Sequence, residues 1–217
     1  MPYLAPGQAG AIDTLVARIE ARTGVQIATA IVRRSDAYTE LPWKAFALGA
    51  SLAAFVLVIA DARQPQWTMS YTALIHAAAI LLPAAAMAVL AMFVAPIARA
   101  LLRPHRAHIE VRRYAESLFY RRGLFRTHDR RAVLILISLF ERRVEILADE
   151  GLQSHVTEAE WQGVIARMTP HLSDRRPFDA LRDALESVEA LLIAKEFVGT
   201  PGANDELPNR TIEESGA

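Results

Sequence analysis

The chain has 217 residues, 24 acidic and 24 basic residues, 7% aromatic residues and no cysteine. This length is enough for one ordinary domain with additional segments, and the lack of cysteine excludes disulfides, thiolate metal sites and a cysteine nucleophile. Because the net charge is zero and no basic face is interleaved with aromatic residues, the sequence also argues against nucleic acid as a partner.

The first 35 residues predict a helix followed by a strand. The helix is indicated by apolar residues at helical spacing: Ile12, Leu15, Val16 and Ile19. After Gly24, the stretch VQIATAIVRR alternates apolar with polar or small residues, which is typical of a strand. We assign residues 1–35 to the first part of a domain that continues later in the chain.

Two apolar runs then dominate residues 36–105. Residues 45–60 carry no charge, and residues 73–98 are interrupted only by His76, Pro83 and Pro96. About 20 apolar residues cross the hydrocarbon of a bilayer, so we predict a transmembrane hairpin with spans at about 43–60 and 73–96. A pair of buried core helices is the alternative, but such helices need a polar stripe and neither run has one.

The charges around the hairpin predict its orientation. Arginines are concentrated after the second span and include Arg99, Arg103, Arg106, Arg112 and Arg113. The excess of positive charge places both termini in the cytoplasm of a plasma (inner) membrane protein. We expect these five arginines also to contact anionic headgroups of the lipid bilayer. His76 is interpreted as an interfacial or hydrogen-bonded histidine, with a functional role inside the span as the alternative.

Residues 106–197 predict a helix, two strands and two further helices. The first helix is ended by Gly123, and VLILISL at 133–139 is a near-continuous apolar run typical of a strand covered on both faces. The alternating stretch 143–149 follows after a turn too short for a parallel crossover, so the pair forms an antiparallel hairpin. A capping box at Thr157 begins one helix, and Pro177 begins the next. Residues 198–217 are expected to form a flexible acidic tail.

These elements define the predicted fold class. It is an α/β domain with helix, sheet and helix layers and a mixed sheet, interrupted by the two-helix transmembrane hairpin. If the strand near residue 30 joins the sheet in parallel, the hairpin is an insertion into a right-handed crossover. Neither soluble fragment alone buries a complete sheet.

The sequence VLILISLFERRVEILADEGL, followed by a capped helix with a central tryptophan, resembles the TPM domain family. The GVQIATAIV strand, the helix EVRRYAESLFYRRGL and the DELP tail contribute to the resemblance. It implies a sheet flanked by helices. In some members it implies phosphatase activity or calcium binding, and in others a role in the assembly or maintenance of membrane complexes.

The resemblance places a candidate metal site at the acidic strand end. Asp149, with Glu150, Asp129 and His128, would supply hard oxygen ligands to a divalent cation such as calcium or magnesium, or orient a phosphate through that cation. The alternative is structural, in which the Asp-Glu-Gly run ends a strand in a solvated turn. His128 and Asp129 alternatively belong only to the loop between helix and strand.

Two functions follow from these observations. The first is a non-enzymatic, membrane-anchored module that binds a membrane-protein partner and supports the assembly of a complex. It is favoured by the absence of a glycine-rich phosphate loop, a nucleophile elbow and zinc-ligand spacing. The alternative is a metal-assisted phosphatase acting on phosphomonoesters, which rests on family analogy alone. Both remain predictions from the sequence.

Overall fold

The computed structural model describes residues 3–63, 72–127, 129–174, 176–199 and 209–216. The described residues form eight α-helices, a short 3₁₀ turn at Leu124–Arg126 and four strands. The helices are α1 (Pro6–Thr23), α2 (Glu40–Arg63), α3 (Thr72–Phe93), α4 (Ala95–Leu101), α5 (Pro104–Arg121), α6 (Glu150–Gln153), α7 (Glu158–Ser173) and α8 (Pro177–Ala194). The strands are β1 (Gln26–Arg34), β2 (Ala132–Ser138), β3 (Arg143–Ala148) and β4 (Ile212–Gly216).

The four strands form one mixed sheet in the order β3-β2-β1-β4. β1 and β2 are parallel, with Gln26 opposite Ala132, and β2 and β3 are antiparallel, with Val133 opposite Ala148. The predicted mixed sheet, its antiparallel hairpin and the parallel pairing of the N-terminal strand are therefore confirmed. β2 lies in the interior of the sheet and every one of its residues is buried, which explains its continuous apolar sequence.

Helices cover both faces of the sheet and create two cores. Ile12 and Val16 of α1, Trp161 of α7 and Leu185 of α8 pack with the face that carries Ile135. The opposite face packs with α5, in a smaller cluster whose buried members include Val111, Ala115 and Leu118. The layers are thus helix, sheet and helix, as the alternation of apolar residues predicted.

The C-terminal segment corrects one prediction. Residues 198–217 were expected to form a flexible acidic tail, but Ile212–Gly216 forms the edge strand β4, parallel to β1. Its acidic residues contact distant parts of the domain. Glu213 accepts hydrogen bonds from the backbone N–H groups of Tyr3 and Leu4, and the Glu214 carboxylate accepts one from the Tyr114 hydroxyl at 2.6 Å. Burial together with this carboxylate raises the pKa of Tyr114 to about 12.

The chain forms two compact units, Met1–Asp36 with His108–Ala217 and, separately, Ala37–Ala107. In the second unit, α2 and α3 are long and apolar enough to cross a membrane and leave large apolar side chains exposed, including Phe55 and Leu82. The predicted second span reaches residue 96, but α3 ends at Phe93 and α4 begins at Ala95. The break falls just before Pro96, which lacks the N–H needed to continue the helix.

The two long helices of this unit meet through small residues. A Cβ atom added to Gly49 would lie 3.0 Å from the Ala84 Cα atom, so even alanine at this position would require the helices to move apart slightly. His76 lies with its Nε2 atom 3.7 Å from an Asp61 carboxylate oxygen. This distance is longer than a hydrogen bond, and the interpretation of His76 as an interfacial or hydrogen-bonded histidine stays a prediction.

Candidate functional site

The acidic strand end is organised around one arginine. Asp149 follows β3 directly, is only 5% exposed, and begins α6 by accepting a hydrogen bond from the Glu150 N–H group at 2.8 Å. Arg130 donates to both Asp149 carboxylate oxygens, from Nε and Nη2, each at 2.9 Å. The alternative of a solvated turn is therefore wrong in one respect, because Asp149 is buried and bound on both of its oxygens.

Two of the residues grouped with Asp149, namely Glu150 and Asp129, also lie beside arginines. The Arg130 guanidinium is 3.5 Å from the Glu150 carboxylate, and the Arg131 guanidinium is 3.6 Å from that of Asp129. A Cβ atom added to Gly151 would lie 2.5 Å from the Asp129 carbonyl oxygen, so the two loops touch through their backbones. The structure thus brings Asp129, Glu150 and Asp149 to one region, where arginines balance their charges.

The metal site itself remains a prediction. Across residues 3–63, 72–127, 129–174, 176–199 and 209–216, no three histidine or acidic side chains converge in a way that would hold an ion. His128, which was grouped with these acidic residues, lies outside the described residues. A cation binding at Asp149 would have to compete with the guanidinium of Arg130 for both oxygens.

A second polar cluster, which the sequence analysis missed, lies at the opposite ends of the strands from Asp149. Ser138 is the last residue of β2 and Ser35 follows β1, so both lie at the carboxyl ends of these parallel strands. The Ser35 hydroxyl donates to the Ser138 hydroxyl at 2.9 Å, and Ser138 donates to the Glu141 carboxylate. The other Glu141 oxygen accepts from the Ser35 N–H group at 2.9 Å.

This cluster has the residue types of a nucleophile and its base, but its burial gives it a structural role. Ser138 is completely buried, and Ser35 and Glu141 are at most 9% exposed. Each polar group satisfies another, which is what buried hydroxyls and carboxylates require. A sequence signal existed in Glu141, the single acid in the arginine-rich turn FERR, although its partner Ser35 lies 106 positions away.

The five arginines predicted to contact lipid are partly engaged within the protein. Arg106 lies 3.0 Å from Glu40, Arg113 lies 3.4 Å from Glu110, and Arg112 lies 3.1 Å from Glu116 and 3.8 Å from Glu145. Arg103 is exposed just before α5. Contact with headgroups stays a prediction, and these ion pairs would reduce the attraction of three of the five residues.

A partly exposed aromatic patch at the end of α5, in which Phe125 also packs against the core beneath α5, is a further feature that the sequence analysis missed. Gly123, at φ +68°, reverses the chain after α5 and returns Phe125 beside Tyr120, with 5.7 Å between the ring centroids. Tyr120 is 68% exposed, and the Arg126 guanidinium lies 5.5 Å from the centre of the Phe125 ring. We call Tyr120, Phe125 and Arg126 the Tyr120 patch. Its signal in the sequence was the stretch FYRRGLFR.

The fold and these contacts define an α/β domain that is interrupted by a pair of apolar helices. Residues 96–191 match the family model described as TPM domain. Among solved structures it resembles the NMR structure of BA42 from the psychrophilic bacterium Bizionia argentinensis, with a TM-score of 0.59 and 14% identity over 98% of this chain and 96% of that chain. At this identity the likeness shows the fold. No curated protein sequence matches the chain significantly.

Proposed function

We propose that this chain is a multi-pass plasma (inner) membrane protein whose cytoplasmic TPM domain binds a partner protein and supports the assembly or maintenance of a membrane complex. The observation that carries the proposal is the Tyr120 patch. Tyrosine and arginine are enriched at the energetic centres of protein interfaces, and phenylalanine is enriched at interfaces in general. Because Tyr120 is largely exposed, a partner that covers it would remove a large apolar surface from water. The guanidinium of Arg126 favours an acidic residue on that partner.

The pairing of the acidic residues supports binding over phosphoester hydrolysis. The Asp149 oxygens are bound by Arg130, and the Ser138 hydroxyl is buried against Glu141. A metal-assisted hydrolase needs carboxylate oxygens that are open to the metal and a nucleophile that the substrate can reach. In these two clusters the carboxylate oxygens are already hydrogen-bonded and the serine hydroxyl is buried. The proposal therefore assigns these polar groups to holding the fold.

Anchoring is proposed from the exposed apolar side chains of α2 and α3. Such a surface is unfavourable in water and favourable in hydrocarbon, where all backbone groups of a helix are already paired. The arginines that follow the second apolar helix favour cytoplasmic termini, because positively charged residues are concentrated on the cytoplasmic side of membrane proteins. The domain would then meet its partner at the inner surface of the membrane.

Site-specific photocrosslinking in cells tests the partner. A photoreactive amino acid at position 120 should give a discrete adduct, while the same group at the exposed position 190 in α8 should give none. Arg126→Glu should weaken the adduct at position 120 by roughly tenfold, since removing a charged contact at an interface costs at least about 1.4 kcal/mol. Equal adducts at positions 120 and 190 would contradict the proposal.

A hydrolysis assay tests the alternative directly. We expect the purified full chain to leave a generic phosphomonoester intact in the presence of calcium, magnesium or manganese. Turnover that disappears in Asp149→Asn would support the metal-assisted phosphatase instead. Glu186→Gln is the matched control, because Glu186 lies in α8, its side chain is 57% exposed and it is not one of the predicted metal ligands.

A further inference from the structure

The outer edge of β3 is open on the side away from β2. The sheet order places β3 at its margin, and no other strand of the described residues pairs there. The Asp149 N–H group donates to the Ala132 carbonyl at 2.9 Å. Hydrogen bonding alternates along an antiparallel strand, so residues 143, 145 and 147 also face β2 through their backbones. The backbone groups of Val144 and Ile146 consequently face outward.

The side chains of β3 alternate between an apolar and a charged face. Val144 and Ile146 pack with the core beneath α7, whereas Leu147 packs with the core beneath α5. Arg143 and Glu145 share the face of Leu147, because alternate residues of a strand lie on the same side. A groove of about 240 Å³ adjoins this edge, and Ile165 and Leu172 of α7 contribute apolar side chains to its wall.

This alternation makes the edge complementary to itself. We propose that a second copy of this chain pairs its β3 strand antiparallel to this one, about a two-fold axis through Val144. Residues whose backbones face outward must then oppose each other, so Val144 meets Val144 of the second copy. The same register places Arg143 opposite Glu145 of the second copy, and Glu145 opposite Arg143 of the second copy.

Other registers lack this charge complementarity. An axis through Glu145 would oppose two carboxylates, and like charges directly opposite destabilise a pair of strands. An axis through Ile146 would oppose Glu145 with the apolar Leu147. That axis would also bring Arg143 to Asp149 of the second copy, but Arg130 already binds both oxygens of this carboxylate. The axis through Val144 pairs Arg143 with Glu145 twice and also continues the apolar face across the junction.

The surroundings of Glu145 support this register. Glu145 is only 8% exposed, and its ion-pair contact with Arg112 is 3.8 Å long. Burial raises the pKa of its carboxyl, which means that the charged form is poorly compensated. Arg143 of the second copy would bring a further cation to this carboxylate. The dimer goes beyond the proposed function and uses no residue of the Tyr120 patch.

Cysteine crosslinking tests the register, because the chain has no native cysteine. In Val144→Cys the two thiols would face each other with Cα atoms about 5.5 Å apart, within the range that a disulfide bridges. In Ile146→Cys the two positions would lie about 14 Å apart along the strands, since they are separated by four residues and each advances about 3.4 Å. Mild oxidation of membranes that contain the full chain should therefore crosslink Val144→Cys at least fivefold more than Ile146→Cys.

Charge exchange tests the pairing independently. In the Val144→Cys background, Arg143→Glu or Glu145→Arg alone opposes like charges and should reduce crosslinking by at least threefold. Coexpression of these two variants with tags of different size should restore crosslinking between them, because every opposed pair is again of opposite charge. Restored mixed crosslinks also show that both variants fold.

The outcomes separate this proposal from others. Equal crosslinking at positions 144 and 146, none at either, or mixed crosslinks no stronger than those of the single variants would overturn it. Stronger crosslinking of Ile146→Cys would overturn the register in favour of a different contact. The adduct at position 120 does not depend on any of these results, so failure of the dimer leaves the partner proposal to its own test.

Discussion

Replacement of Asp149 by asparagine separates the structural role of this residue from a role in metal binding. Asparagine has nearly the same size and caps a helix as well as aspartate does, so the start of α6 is preserved. The substitution removes the negative charge that both Arg130 hydrogen bonds require. It therefore tests the bidentate pair with little other change.

The expected loss follows from the geometry of the pair. Hydrogen bonds to charged groups contribute about 1.5–3 kcal/mol to stability, and the two bonds here act as one unit. Arg130 is 44% exposed, so water replaces part of what is lost. We therefore expect the free energy of unfolding to fall by about 2 kcal/mol, which for a protein of this size lowers the thermal midpoint by roughly 4–8 °C.

Circular dichroism of the detergent-solubilised chain would measure this change. Glu150→Gln is the control and should cost at most about 0.5 kcal/mol, since an exposed ion pair contributes little. We expect millimolar calcium to leave the wild-type midpoint unchanged, because Arg130 already binds both oxygens of Asp149. The reasoning would be refuted if Asp149→Asn were no more destabilising than the control, or if calcium raised the wild-type midpoint and not that of Asp149→Asn.

Three other predictions concern the termini, the apolar hairpin and acid stability. Deleting residues 209–217 should open the β1 edge and make the domain more sensitive to limited proteolysis, whereas resistance equal to the full chain would show that β4 contributes nothing. Gly49→Leu should push α2 away from α3 and destabilise the hairpin by about 1–3 kcal/mol through overpacking. The measurement is the resistance of the folded protein to detergent, and Gly49→Ala should reduce this resistance less than Gly49→Leu does. The pKa of Glu160 is lowered from 4.5 to about 2 by hydrogen bonds from Lys195 and the Thr157 N–H group, so its stabilisation is complete above pH 4.5 and is lost as the pH falls toward 2. Glu160→Gln should therefore be less stable than wild type at neutral pH and equal to it near pH 2, and a constant difference across this range would contradict the assignment.

Orientation is tested by a reporter fused after residue 217. The arginines beyond the second apolar helix predict that the fusion works only as a cytoplasmic marker. Activity of a periplasmic reporter at the same position would reverse the proposed topology. It would also place the Tyr120 patch and the β3 edge on the outer side of the membrane.

Elements with a strong periodic pattern could be predicted from the sequence. The unbroken apolar run of β2 identifies a strand covered on both faces, because no position in it could face water. The capping box at Thr157 is confirmed, with the Thr157 hydroxyl and the Glu160 carboxylate closing the first turn of α7. Such signals are local, so they survive without knowledge of the tertiary structure.

The strand β4 could not be predicted in this way. Its sequence contains one apolar residue, Ile212, and otherwise has the composition of a solvated tail. Its acidic residues are ordered by partners about 100 to 210 positions away, among them Tyr3 and Tyr114. The composition of a segment indicates how much apolar surface it can bury. It does not reveal that β1, far away in the sequence, has an edge whose backbone groups are available to pair with this segment.

The sequence by itself determined the secondary structure that burial and capping dictate, together with the insertion of two apolar helices into one α/β domain. Only the tertiary structure decided the roles of the polar residues. It pairs Asp149 with Arg130, buries Ser35 in hydrogen-bonding contact with Glu141, and places Phe125 beside Tyr120. The physical reason is that apolar burial follows a periodic local pattern, whereas hydrogen bonds and ion pairs depend on distances between atoms that folding alone brings together.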